Sequence, residues 1–181
     1  MGESIVDLVA EQLKKEEGTK YPKSSTKRLP ISGGEVGGSK GFETFRRDRV
    51  QQASGMGLTA DAMNMLVSRY GANVDKVLHF YTTGLSEAEE AGLDPIVFAM
   101  LRYSMEYESA YKPIDFFIRR TGALFFDIHW VHAHKEKVIA YMSKTLVWSE
   151  DQTEEYRAEL EGLLYEATHP VAVSSQSTVQ V

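Results

Sequence analysis

Apolar positions recur along most of the chain at intervals of three and four, the period of a helix with one buried face. Ile5, Val6, Leu8, Val9 and Leu13 form such a stripe within residues 4–17, opposite Glu11, Lys14, Lys15 and Glu16, and Gly18 supplies a stop. A lone helix of this length is marginal in water, so its stripe needs a partner. Residues 42–53 make a second helix carrying Arg46, Arg47 and Arg49. Thr59 is placed to N-cap a third, which turns Ala62, Met63, Leu66 and Val67 inward and runs through Tyr70 to Gly71. Asn73 or Asp75 caps the next, with Val77, Leu78, Phe80 and Tyr81. Residues 84–92 read as an acidic connector. Asp94 and Pro95 then open a helix to about Tyr107, with Val97, Met100, Leu101 and Met105 facing inward.

Residues 113–141 are the most apolar and aromatic stretch. Phe116, Phe117, Leu124, Phe125, Phe126, Ile128, Trp130 and Val131 are its expected core. Two helices are expected here, over residues 114–121 and 127–143, with Leu124, Phe125 and Phe126 packed between them. Arg119, Arg120 and Thr121 interrupt this apolar run. The guanidiniums either lie on the outer face or cap helix carbonyls, or one is fixed against a carboxylate or a bound anion, which a planar guanidinium binds bidentately. The sequence leaves both readings open. Ser149 and Gln152 form a capping box for a last helix through Tyr156, Leu160, Leu163 and Leu164 to about Ala167, with Pro170 as its stop. Beyond it, residues 168–181 read as a flexible tail. No strand alternation extends past four residues from position 42 onward, so the fold class is all-α.

Residues 19–41 break the pattern. Pro22, Pro30, the run Ser24, Ser25, Thr26 and S-G-G-E-V-G-G-S at 32–39 read as a linker. Neither G-x-G-x-x-G nor G-x-x-x-x-G-K-[ST] occurs, so this glycine-rich stretch is not expected to cradle phosphate. The expected organisation is an amphipathic helix (1–18), a Gly/Pro/Ser-rich linker (19–41), a multi-helix domain (42–167) and the tail (168–181).

Composition narrows the chemistry. Of 181 residues, 43% are hydrophobic and 25% charged, with a formal net charge of -6, so a non-specific nucleic-acid binder is not expected. The turn at 70–73 joins two helices as DNA readers do, but no basic second helix follows it. Cysteine is absent, which removes disulfides and thiolate chemistry and fits a reducing cytoplasm. No apolar run reaches the ~18 residues of a membrane-spanning helix. His129, His132 and His134 lie close together beside Asp127, but His134 stands ~140° round the helix from His129, so the three do not share a face and no metal site is expected. Glu106 and Glu108, two apart on a helix, splay rather than converge as an acid/base pair. No active site is marked by motif.

Five motifs in order carry a resemblance: P-x-S-G-G at 30–34, Y-G-A-N at 70–73, L-R-Y-S-M-E-Y-E at 101–108, D-F-F-I-R-R-T at 115–121 and W-S-E at 148–150. Together they resemble the C-terminal portion of the FAD-dependent aerobic glycerol-3-phosphate dehydrogenases, in the form found in Bacillus-like bacteria. The resemblance covers residue 5 to about 167. It implies a parent enzyme in which a flavin domain precedes a helical cap. That enzyme oxidises sn-glycerol 3-phosphate to dihydroxyacetone phosphate and passes electrons through FAD to membrane quinone. The chain would then be the excised cap, with residues 5–17 as the helix after the flavin domain, binding no FAD of its own and catalysing nothing. Its implied partner is the FAD domain of the parent chain, with a homo-oligomer contact left open and a cytoplasmic location, the parent at the inner face of the membrane. Arg119, Arg120 and Thr121 are the candidate polar anchor of the cap or of its docking. The alternative is a stand-alone helical module that binds a partner protein.

Overall fold

The computed structural model describes residues 2–169, apart from the side chain of Arg28. Within them all regular structure is helical, as the patterning predicts. The chain divides between Val74 and Asp75 into two compact units. Residues 170–181, most of the expected tail, lie outside the described part.

In the first unit, α1 (Gly2–Glu17) buries no residue at all. Ile5, Val6, Leu8 and Val9 all lie exposed, so no other described residue covers the stripe. The short 3-10 turn Thr26–Arg28 sits near its start, where Lys27 pairs with Glu3 at 3.3 Å. α2 (Gly38–Gln52) begins inside the expected linker, after Gly37 in a left-handed conformation. Glycine is a poor helix former, which is why this first turn reads as loop in the sequence. The third helix, α3 (Ala60–Tyr70), follows expectation closely. The Thr59 hydroxyl accepts the Ala62 N–H at 3.1 Å, and Met63, Leu66, Val67 and Tyr70 are buried.

The second unit holds most of the buried aromatic volume. Along α4 (Val74–Thr83), Val77 and Leu78 are buried. The acidic connector is in fact a helix, α5 (Leu85–Glu90). Its sequence shows no apolar stripe because only Ala88 is buried, too little to produce a period. Asp94 caps α6 (Pro95–Tyr107) through the Ile96 and Val97 amides at 2.9 and 3.2 Å. Next comes a π-helical turn, Asp115–Arg120, then α7 (Ala123–Phe126), α8 (Ile128–Leu146) and α9 (Glu150–Thr168). Asp127 caps α8, and the predicted Ser149–Gln152 capping box opens α9.

The central stretch corrects one expectation. Phe116, Phe117, Leu124 and Val131 are core residues, and Trp130 is half-buried against the two phenylalanines at 6.0 and 5.9 Å. Phe125 and Phe126, expected to pack between helices, are exposed, Phe126 by 90%. Gly122 is left-handed (φ 66), which turns the chain so that α7 points Leu124 inward and its last two residues outward. A four-residue helix has only one inward face, so three consecutive apolar residues do not all reach the core.

Candidate functional site

The corner that carries Arg119, Arg120 and Thr121 is built from the C-terminus of α6 onward. There Ser109 adopts a left-handed conformation (φ 56), and the Glu108 and Ala110 amides both donate to the Ser104 carbonyl, at 3.2 and 2.9 Å. This closes the helix end and turns the chain toward Asp115. Asp115 is 7% exposed, and its Oδ2 accepts the amides of Tyr111 and Lys112 at 3.0 and 2.9 Å.

Arg119 is bonded to the other oxygen of the same carboxylate. Arg120 reaches back, donating from Nη2 to the Glu108 carbonyl at 2.5 Å with Nε 3.8 Å from the Glu108 carboxylate. Burial pushes the Glu108 carboxyl above its ordinary range, and the neighbouring Arg120 charge opposes that shift. Thr121 closes the π-turn twice. Its amide donates to the Phe116 carbonyl at 2.9 Å, the i→i+5 bond that defines the turn, and its hydroxyl donates to the same carbonyl at 2.9 Å. The widened turn leaves the adjacent Phe116 and Phe117 both fully buried, with rings 5.2 Å apart.

The two adjacent arginines are held differently. Arg119, 66% exposed at its side chain, holds a carboxylate; Arg120 caps a helix-end carbonyl. Sequence reasoning missed their partners. Asp115 was legible as an acid four residues before Arg119. Glu108, twelve residues before Arg120, carried no such signal.

Neither arginine is laid out to receive an anion, since each already holds a carboxylate. The histidines do not converge either: His129 and His132 are exposed, while His134 packs on Trp130 at 4.9 Å, where burial lowers its pKa. Among the described residues no His, Asp and Glu group is arranged to hold a metal. Glu106 pairs with Arg102 at 3.6 Å and Glu108 with Arg120, so the two glutamates do diverge. A cleft of about 530 Å³ between α2 and α3 is lined by both signs of charge, and Arg46 within it is bound by Glu43 at 2.6 Å and Asn64 at 3.1 Å.

The glycine-rich loop has a different task from phosphate binding. The Gly34 amide donates to Ile31 O at 2.6 Å, Val36 to Gly34 O at 2.8 Å, and Gly33 to the Glu35 carboxylate at 3.1 Å. Those three N–H groups are used within the loop and are not free to receive a phosphate. Instead, P-x-S-G-G locks onto Y-G-A-N. Ala72 donates to the Gly33 carbonyl at 2.9 Å, and the Asn73 amide donates to the Ser32 hydroxyl at 2.8 Å. Gly33 and Gly71 meet backbone to backbone: a Cβ on Gly33 would lie 2.6 Å from the Tyr70 carbonyl, and one on Gly71 would strike Gly33 itself. Two motifs forty residues apart thus form one joint.

No helix of the described residues is long and apolar enough to cross a membrane. Comparison with known proteins matches residues 24–153 to the family described as the C-terminal domain of alpha-glycerophosphate oxidase. Similar proteins include the aerobic glycerol-3-phosphate dehydrogenases of Bacillus subtilis, 39% identical over 94% of this chain, and Staphylococcus epidermidis, 42% identical over 92%. The chain spans about a third of these relatives, 31% and 30% of their length. The crystal structure of the glycerol-3-phosphate dehydrogenase from Bacillus halodurans complexed with FAD superposes with a TM-score of 0.84 at 34% identity, covering 93% of this chain and 34% of that one. An all-helical chain with the paired P-x-S-G-G and Y-G-A-N joint, matched over most of its length, therefore belongs to the family of the C-terminal domain of alpha-glycerophosphate oxidase.

Proposed function

We propose that this chain is the non-catalytic helical C-terminal domain of an FAD-dependent glycerol-3-phosphate dehydrogenase. The parent enzyme oxidises sn-glycerol 3-phosphate to dihydroxyacetone phosphate and hands the electrons through FAD to membrane quinone, from the cytoplasmic side. The observation that carries this reading is the match of nearly the whole chain to about a third of a solved glycerol-3-phosphate dehydrogenase that holds FAD. The chemistry within the chain agrees with it. The Gly33, Gly34 and Val36 amides are bonded within the glycine loop, Arg119 is bonded to Asp115 and Arg120 lies beside Glu108, and Glu106 and Glu108 pair with different arginines. The flavin-bearing portion of the parent is the natural partner, and the exposed α1 stripe is the feature that points to one. Arg119, Arg120 and Thr121 act as the anchor that fixes the corner between α6 and α7.

The direct test is glycerol-3-phosphate:dye reductase activity with FAD supplied. The chain alone is expected to be inactive, and adding the separately produced flavin portion of the parent is expected to raise that portion's activity. Turnover by the chain alone would falsify the non-catalytic reading. A flavin portion that is equally active with and without the chain would instead favour an independent protein-binding module.

A further inference from the structure

The turn at residues 31–34 is held more firmly than a connector requires. Gly33 sits at φ 88 in its third position, which a type II turn reserves for glycine. The turn is closed by the Gly34–Ile31 bond and fastened to the end of α3 through Ala72 and Asn73. Neither side of the joint tolerates a Cβ. Yet the apolar side chain that opens this fixed turn is held in solvent: Ile31 is 86% exposed, and Leu29, two residues before the turn, is 69% exposed. Solvent alone gives no reason to hold an isoleucine outward on a locked frame. An apolar knob on a rigid backbone loses little freedom on docking, which is how preorganised contacts gain affinity.

We propose that Leu29 and Ile31 are a preformed apolar plug that seats in a recess on the flavin-bearing portion preceding this domain in its longer relatives. The plug rests on the parent-enzyme reading above. About two thirds of the length of such a relative lies outside this chain, as the 31% coverage of the Bacillus subtilis protein shows. The plug follows shortly after α1, in the segment nearest that missing portion. Covalent linkage supplies a high local concentration for such a contact, whereas a second copy must first overcome the entropy of association. The exposed Ile5, Val6 and Leu8 of α1, in the same segment, extend the apolar surface available to the same partner.

The test replaces the matching third of the Bacillus subtilis aerobic glycerol-3-phosphate dehydrogenase with this chain and compares the hybrid with one carrying Leu29→Asp and Ile31→Asp. The unsubstituted hybrid is expected to retain FAD and to unfold in a single calorimetric transition. The substituted hybrid is expected to retain FAD but unfold in two, and to become cleavable by protease within residues 19–36. A single transition at unchanged temperature in the substituted hybrid overturns the plug. An unsubstituted hybrid that already unfolds as two independent parts overturns the parent reading, and the plug with it. The 181-residue chain alone supplies the control. The same substitutions should leave its helix content and melting midpoint unchanged, and a loss of helicity would mean the two side chains pack internally, against the proposal. If the unsubstituted chain sediments as a dimer and the substituted one as a monomer, the plug belongs to a second copy and the proposal is wrong.

Discussion

Two adjacent arginines, Arg119 and Arg120, have different consequences when removed. Arg119→Ala takes an exposed guanidinium from a carboxylate that still accepts two backbone amides, so the expected loss is below about 1 kcal/mol. Arg120→Ala removes the bond to the Glu108 carbonyl and leaves a half-buried carboxylate without its counter-charge, at an expected cost of about 1–2 kcal/mol. That cost depends on pH. Burial raises the Glu108 carboxyl above its ordinary range, so the folded protein holds this proton more tightly than the unfolded chain. The resulting stabilisation is full in acid and is lost as pH rises through the raised value. Without Arg120 nothing opposes the shift, so the deficit of Arg120→Ala should be largest at neutral pH and shrink toward acid, as urea midpoints across that range will show. Asp115→Ala should be the most damaging of the three, at about 2–3 kcal/mol, because it strands the Tyr111 and Lys112 amides. Gly71 is a further sensitive position. Its φ of 53 and ψ of -132 disfavour any other residue, and a methyl there would push Gly33 off Ala72. Gly71→Ala is expected to destabilise by about 2–4 kcal/mol in chemical denaturation.

At the scale of elements, agreement with the sequence follows the strength of the local signal. The helices α3, α6 and α9, each opened by a capping side chain, begin where Thr59, Asp94 and Ser149 place them. Ser149→Ala should therefore cost about 1 kcal/mol, measured as a shift in thermal midpoint. Where an element buries little, its sequence is nearly silent. α5 buries only Ala88, and α2 opens on glycine and buries nothing. The π-turn was legible as helix but not as π, because its i→i+5 bond depends on Thr121 closing over two buried phenylalanines. α1 is the opposite case: a strong pattern, yet none of its residues is buried among the described part of the chain. Deleting residues 2–17 from the isolated chain should shift its unfolding free energy by under about 1 kcal/mol, and the α1 amides should exchange with solvent far faster than those of α6. Protection of α1 equal to that of α6 would show that its apolar stripe is already covered.

For the whole molecule, composition and motif order determined a good deal. Helical period over nearly the entire chain gave the all-α class, because amphipathic spacing is a local property written directly into the order of residues. The order of five short motifs gave the resemblance to glycerol-3-phosphate dehydrogenases, and the family match bears it out. What the sequence left undetermined depended on partners distant along the chain. Only the tertiary structure joins Gly33 to Gly71 and Ser32 to Asn73, assigns Arg120 to Glu108, and turns Phe125 and Phe126 outward while Phe116 and Phe117 go inward. The division between Val74 and Asp75 is likewise invisible in composition, since both sides are equally helical there. The physical reason is the same in each case. Periodicity reports which face of an element is apolar, whereas the neighbour that face or polar group meets is fixed by closure of the chain on itself.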